Sequence, residues 1–222
     1  MMMTALGGSS RGPAGLDTLF ARSGLRRIRT LPMPGFASIV EAAATDRTGA
    51  AGGGTARMLR RMEIRSASDE DWPNVYPFYS VIMAEGRTYA YPEAQTLGEA
   101  RAWWMEQPPG RTVVAVEDGA IVGSAKMGPN RPGRGSHIGT ASFLVDPAHQ
   151  GKGIGRALGE HVIEWSRAEG FHGITFNAVV ETNGPAVHLW TSLGFEVIGT
   201  VPDAFDHPEH GLVGLHVMYR RL

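Results

Sequence analysis

Beyond residue 61 the apolar positions switch repeatedly between a period of two and a period of three to four. Met62-Glu63-Ile64-Arg65 alternates like a strand. Ser68-Asp69-Glu70-Asp71 then caps a helix whose buried face is predicted to hold Trp72, Val75, Tyr76, Tyr79 and Ile82. After an unusually aromatic connector, Glu85 to Pro92, a second helix is predicted over 96–105, with Trp103 and Trp104 near its end. Strands over 112–117 and 120–127 are joined by Asp118-Gly119, the strongest short hairpin signal in the chain. A Pro/Gly-rich stretch, 128–135, precedes a strand over 137–145 that stops at Asp146-Pro147, because proline neither donates to a ladder nor lets its predecessor turn helical. Ile154, Leu158, Val162 and Trp165 recur at spacings of four, four and three, the apolar stripe of an amphipathic helix. A strand over 174–180 and a helix over 183–193 follow, with Asn183 as N-cap, Gly194 as left-handed stop and Phe195 as the contact beyond it. Strands over 196–201 and 212–220, around a connector at 202–211, complete an α+β order.

Between the strand ending at Val145 and the helix starting near Ile154 lies Gln150-Gly151-Lys152-Gly153-Ile154-Gly155. Residues without Cβ let the backbone curl with its N–H groups converging, and the helix dipole adds partial positive charge at that point, so the turn suits an anion such as phosphate. The P-loop order and the Gly-x-Gly-x-x-Gly order are both absent. A strand-to-helix turn that binds nothing would use the same glycines.

The hexamer resembles the Gln/Arg-x-x-Gly-x-Gly/Ala signature of the GNAT acyl-CoA N-acyltransferases. Downstream, Asn183-x-x-Ala186-x-x-Leu189-Trp190-x-x-x-Gly194-Phe195 resembles the element that closes the core of the same family. The resemblance covers residues 62–222 and implies a mixed, mostly antiparallel sheet of six to seven strands with splayed central strands and flanking helices. It also implies acetyl-CoA as co-substrate. The pantetheine arm would lie along the backbone of Phe143, Leu144 and Val145, and the pyrophosphate on Gln150, Gly151, Lys152, Gly153, Ile154, Gly155 and Arg156. Asn183 would reach the cofactor near its sulfur.

Acyl transfer to an amine needs a neutral amine, help for the developing oxyanion and a proton for the leaving thiolate. The resemblance implies a backbone oxyanion donor, assigned to Leu144, and a tyrosine acid where this chain has Trp190, an indole that cannot serve as that acid. His137, Glu85, Glu181 and His188 are open alternatives for the base. Asn177 interrupts an otherwise apolar strand; it is either a satisfied core amide or a substrate-orienting group. The strings around Asn177, Leu189-Trp190 and 199–205 resemble one subgroup, the azetidine-2-carboxylate acetyltransferases. In that subgroup an Asn on the fourth strand and an Asn on the fifth hold the substrate. Asn177 matches the second, and Thr140 stands at the first with a shorter reach. Glu85, Tyr89 and Tyr91 are expected at the substrate mouth, the two tyrosines either lining it or packing one helix on the other. The acceptor expected is a small-molecule amine, an amino acid or proline-like analogue among the candidates. A catalytically silent acyl-CoA-binding module and a protein or peptide N-acetyltransferase are the alternatives.

Composition narrows the partners. With 21 basic and 22 acidic residues the formal charge is −1, so no general attraction to nucleic acid or membrane is expected. The absence of cysteine excludes disulfides and a cysteine nucleophile and fits a cytoplasmic setting. His207 and His210 lie among acids in a loop-like spacing, and no metal is expected. The C-terminal strands suit a homodimer. Residues 1–61 are rich in Gly, Ala and Arg and read as a disordered extension, with transient helices at 16–28 and 36–44. Such a segment is an appended tail with the true start at Met58 or Met62, a transit peptide, or a partner-binding arm.

Overall fold

The computed structural model describes residues 62–222 in full, and before them the backbone of three short strands. These are β1 (Met2–Met3), β2 (Leu25–Pro32) and β3 (Ser38–Ala44), which pair in the order β1-β3-β2 as an antiparallel sheet within a unit spanning Met1–Arg57. The helix expected over 36–44, and the end of the one expected over 16–28, are therefore strands: Thr30, Ile39 and Val40 are β-branched and find ladder partners, while Ile28 is passed over at a register shift between Arg27 and Arg29. The expectations of disorder and of a tail, transit or binding role otherwise lie outside the described residues.

The second unit, Met58–Leu222, carries a seven-stranded sheet. In chain order its elements are β4 (Met62–Ser66), α1 (Trp72–Ala84), α2 (Leu97–Trp104), β5 (Arg111–Glu117), β6 (Ala120–Pro129), β7 (Ile138–Val145), α3 (Ile154–Ala168), β8 (Gly173–Val180), α4 (Gly184–Ser192), β9 (Glu196–His207) and β10 (Gly211–Arg221). The strands lie in the order β4-β5-β6-β7-β8-β10-β9, and every pairing is antiparallel except β7 with β8. This is the mixed α+β sheet the pattern predicts. The element bounds agree closely with the periodicity, since each cap does what its chemistry allows: Thr96 and Glu99 form a capping box on α2, and Asp118 and Gly119 adopt the positive φ values of their hairpin.

Two expectations change. On α1 the buried residues are Trp72, Val75, Phe78, Tyr79 and Met83, with Tyr76 and Ile82 only partly covered, so the stripe runs one position over. The stretch 202–211 is largely strand: β9 continues through Pro202 to His207, with a register shift opposite Val213 to Leu215 that takes up residues 202–204. β9 is the edge of the sheet, where a proline without an N–H costs the ladder nothing.

Each face of the sheet has its own core. α3 and α4 cover one face through Ile154, Leu158, Val162, Trp190 and Leu193, packed on Val113, Ala125, Met127, Ile174 and Phe176. α1 and α2 cover the other through Trp72, Tyr79 and Trp104, packed on Val114 and Leu144. Each large side chain buried there contributes about 1.5–3 kcal/mol from water exclusion alone. Among the described residues no helix is long and apolar enough to cross a membrane.

Candidate active site

β7 and β8 form the opening around which the site is built. They pair in parallel at two positions only, Ile138 with Gly173 and Gly139 with Ile174, and then separate while β8 continues to pair with β10. The register of β7 on β6 decides which backbone groups face the opening. Asn130 N–H donates to Ile138 C=O at 2.7 Å and Asp146 N–H donates to Val122 C=O at 3.0 Å, both directly opposed positions of the β6–β7 ladder. Hydrogen-bonded pairs alternate in an antiparallel ladder, so the even-numbered residues of β7 are bonded to β6 and the odd-numbered ones turn toward the opening. This corrects the oxyanion assignment: Leu144 pairs with Ser124 and its amide belongs to the ladder, whereas the amides of Phe143 and Val145 face the gap.

Tyr89 confirms that direction. Its hydroxyl accepts from Phe143 N–H at 3.0 Å and donates to Phe143 C=O at 2.7 Å, taking both groups that a neighbouring strand would have used. Burial, reinforced by the nearby Tyr91, pushes the Tyr89 phenol well above its usual value, so it stays protonated. The aromatic connector that carries it is held by ring contacts: Tyr89 with Tyr91 and with the edge of Trp104, and Tyr91 with Trp103. Arg87 in the same connector bonds Glu209 in the β9–β10 turn at 2.6 Å.

At the C-terminal end of β7 the glycine loop enters α3. Gly151 and Gly153 have φ of +74° and +84°, and a Cβ at either would meet nothing within 4 Å, so it is backbone conformation that calls for glycine. Gly155 serves a different end: a Cβ there would lie 3.3 Å from Leu189 Cδ2 and 3.7 Å from Val145 Cγ2, so its absence lets α3 close on β7 and α4. No side chain caps α3, and the first intrahelical bond recorded there runs from Ala157 N–H to Gly153 C=O. The N–H groups of residues 154–156 are therefore directed, with the dipole of a 15-residue helix, at one point beside the loop. These features fit a diphosphate, and the Phe143 and Val145 amides fit the amides of a pantetheine arm. Gln150 and Lys152 are exposed on the loop, and the Arg156 guanidinium is drawn away to Ser192 Oγ at 2.6 Å. Asn183 caps α4, with Oδ1 accepting from Ala186 N–H at 3.2 Å, which leaves its Nδ2 as the group able to donate outward. Trp190 is buried, its ring 4.5 Å from that of Phe143 and 4.9 Å from that of Phe176; it supports Phe143 from below as part of the core.

Beside the narrow end of the opening, where β7 and β8 begin to part, lies a cavity of about 470 Å³ lined by β6, β7, β8 and the segment after α2. Thr140 and Asn177 both line it, as does Tyr91. Asn177 is an exposed residue of β8 and not a core amide: strand alternation turns it away from the buried Phe176, and its Nδ2 donates to Asn130 Oδ1 at 2.7 Å. Glu85, His137, Glu181 and His188 are absent from the lining. Glu85 ends α1, His137 packs on His172, Glu181 accepts from Gly214 N–H at 2.6 Å, and His188 is exposed on α4. The residues missed by the sequence reading are Glu106 and Lys126. Both line the cavity, with Lys126 Nζ 3.2 Å from Glu106 Oε1. Lys126 left one signal, a lone cation in the otherwise small and apolar run Gly123 to Gly128. Glu106 left none, being the first residue of a proline-rich loop. His207 and His210 stack on each other at 4.5 Å.

A chain with this sheet, this opening and this loop belongs to the acetyltransferase (GNAT) family, whose sequence pattern it matches over residues 70–195. It is 55% identical to a GCN5-related N-acetyltransferase from Kribbella flavida, whose solved structure superposes with a TM-score of 0.71 over 72% of this chain and 98% of that one. It also resembles yncA from Salmonella typhimurium, solved with its cofactor acetyl-CoA, at 26% identity and a TM-score of 0.65 over 73% of this chain and 94% of that one. Among curated proteins it is 36% identical, over 91 residues and 40% of its length, to the L-amino acid N-acyltransferase MnaT of Escherichia coli, about half of which (52%) it spans.

Proposed function

We propose that the chain is an acetyl-CoA-dependent N-acetyltransferase that passes the acetyl group directly to the amine of a small molecule held in the cavity. The observation that carries this reading is the opening between β7 and β8. It is lined by the outward amides of Phe143 and Val145, has the α3 N-terminus at its wide end, and has the polar cavity beside it at Thr140, Ser142 and Asn177.

Acetyl-CoA supplies an acetyl group activated as a thioester. The N–H groups of the loop and first turn, Gly151 to Arg156, hold its diphosphate, while Val145 and Asn183 fix the arm that leads to the sulfur. Phe143 N–H stabilises the charge that develops on the carbonyl oxygen, from a strand that holds it in place, at the cost of displacing one hydroxyl. Tyr89 releases this N–H when the carbonyl takes it and keeps its own donor for Phe143 C=O. Glu106 is the carboxylate of the cavity wall and receives, directly or through water, the proton the amine loses. With tryptophan at 190 the departing sulfur relies on its own acidity, a thiol pKa of about 8.5, and on solvent for its proton. Asn177 and Thr140 orient the acceptor. Small amines, amino acids and proline-like analogues among them, suit a cavity of this size and polarity; the aromatic connector, pinned by Arg87, opposes an extended peptide.

The test is thiol release from acetyl-CoA by the full chain against amino acids, proline analogues, polyamines and a peptide N-terminus. Amine-dependent release with an acetylated product is the expected result. Calorimetric binding of acetyl-CoA without release on any amine would favour a silent acyl-CoA-binding module, and absence of binding would overturn the family's chemistry for this chain.

A further inference from the structure

The charged pair on the cavity wall has a geometry that a structural ion pair does not need. Lys126 lies on β6 directly across the ladder from Ser142, on the same face as Ser124 and opposite to the buried Ala125 and Met127. Its side chain is only 16% exposed. Neutral groups hold it there: Nζ donates to Trp103 C=O at 2.7 Å and stands 5.8 Å from the ring centroids of both Tyr91 and Trp104. Glu106, at 38% exposure, is the looser partner. The ammonium would therefore keep its position if Glu106 turned aside, and among the described residues lining the cavity it is the only cation and Glu106 the only anion.

We propose that Lys126 reads a carboxylate on the acceptor, so that the cavity selects amines that carry an anionic group beside the nitrogen. The inference rests on the acetyl-transfer reading and deepens it. A carboxylate replaces Glu106 as the partner of Lys126, with Ser142, Thr140 and Asn177 as neutral donors along the same wall. Glu106, released, faces the acceptor's nitrogen. A zwitterion thus exchanges one ion pair for two, whereas a plain amine brings a second positive charge toward Lys126 and gains nothing in return. The competing structural role is specific: Lys126 also caps the C-terminal carbonyl of Trp103 in the last turn of α2. Loss of that cap would weaken every acceptor alike.

The experiment compares kcat/KM for methionine, phenylalanine and proline with that for their carboxamides. Each carboxamide keeps the shape of its amino acid and removes the charge. The unmodified chain is expected to prefer the acids by at least about 30-fold, since a site with a desolvated charge rejects an analogue that leaves the charge unpaired. Lys126→Met should reduce that preference to within about three-fold by losing rate chiefly on the acids, and Lys126→Arg should retain most of it. Equal rates for acids and carboxamides in the unmodified chain, a measurement that needs no variant, would overturn the proposal. A proportional loss on both in Lys126→Met would also overturn it and leave Lys126 as a helix cap. Acetyl-CoA binding without acetylation of any amine would instead overturn the transferase reading, and this proposal with it.

Discussion

The two ends of the site are built from different materials. The diphosphate end is made of backbone: six consecutive residues, 150–155, and the first turn of one helix, with glycine at two positions because φ is positive there. The acceptor end is made of side chains drawn from Tyr91, Glu106, Lys126, Thr140 and Asn177, which lie on a connector, a post-helical loop and three different strands. Backbone sites tolerate any side chain that permits the curl, so they bind what is common to all substrates. Side-chain sites can change one residue at a time without disturbing the fold, and they are where a family diversifies its acceptors. Phe143 is the hinge between the two, since its amide faces the opening and Tyr89, the neighbour of Tyr91, sits on it.

The sharpest way to break the contrast is at the backbone end. Gly153→Asp strains a residue at φ +84° and sets a carboxylate where the diphosphate is proposed to sit. Calorimetry should show acetyl-CoA affinity falling by at least about 100-fold, while circular dichroism reports a folded domain destabilised by about 1–2 kcal/mol. Normal affinity would mean that the loop carries no phosphate. At the acceptor end, Asn177→Ala should lower kcat/KM for the best amine by about 30-fold and leave the acetyl-CoA Kd within about two-fold. A matching loss in both would deny that the ends are separable.

A smaller effect tests the hinge. Tyr89→Phe frees Phe143 N–H from its hydroxyl competitor, so the KM for acetyl-CoA should fall about four-fold, the worth of one net hydrogen bond. No change in KM would show that the hydroxyl is not displaced. The smallest effect on turnover belongs to the scaffold, at Asp71. Two bonds of 2.7 Å from Arg65, helped by Ser68, hold the Asp71 carboxyl down at about 2. Because the folded value lies below the unfolded one of about 3.9, the stabilisation is complete above pH ~4 and is lost as the pH falls toward 2. Arg65 is 42% exposed, so solvent screening leaves about 1 kcal/mol. Urea unfolding should show Asp71→Asn less stable by that amount at pH 7 and equal to the parent near pH 2, with kcat/KM unchanged throughout.

The opening itself was half legible in advance. That β7 and β8 would splay and leave ladder groups for the cofactor followed from the resemblance, but which amides face the gap depends on the parity of the β6–β7 register, and parity is invisible in a strand buried on both faces, such as Phe143-Leu144-Val145. Asn177 shows the same limit: an amide within an apolar strand reads as buried, yet the sheet face it occupies is open to the cavity. The continuation of β9 past Pro202 was hidden because proline argues against a strand until the strand is known to be an edge.

By itself the sequence determined what local chemistry can determine: where helices start and stop, the Asp118-Gly119 hairpin, the glycine loop and the helix it opens, and the presence of a residue at 190 that cannot act as an acid. Each depends on neighbours within one or two turns of chain, where backbone sterics and capping bonds dominate. Only the tertiary structure decided that Phe143 rather than Leu144 presents its amide, that Tyr89 rests on it, and that Lys126 and Glu106 stand 3.2 Å apart on one wall. Those facts depend on strand register and on segments 20 or more residues apart in sequence meeting across a sheet, and no local preference encodes the distance between them.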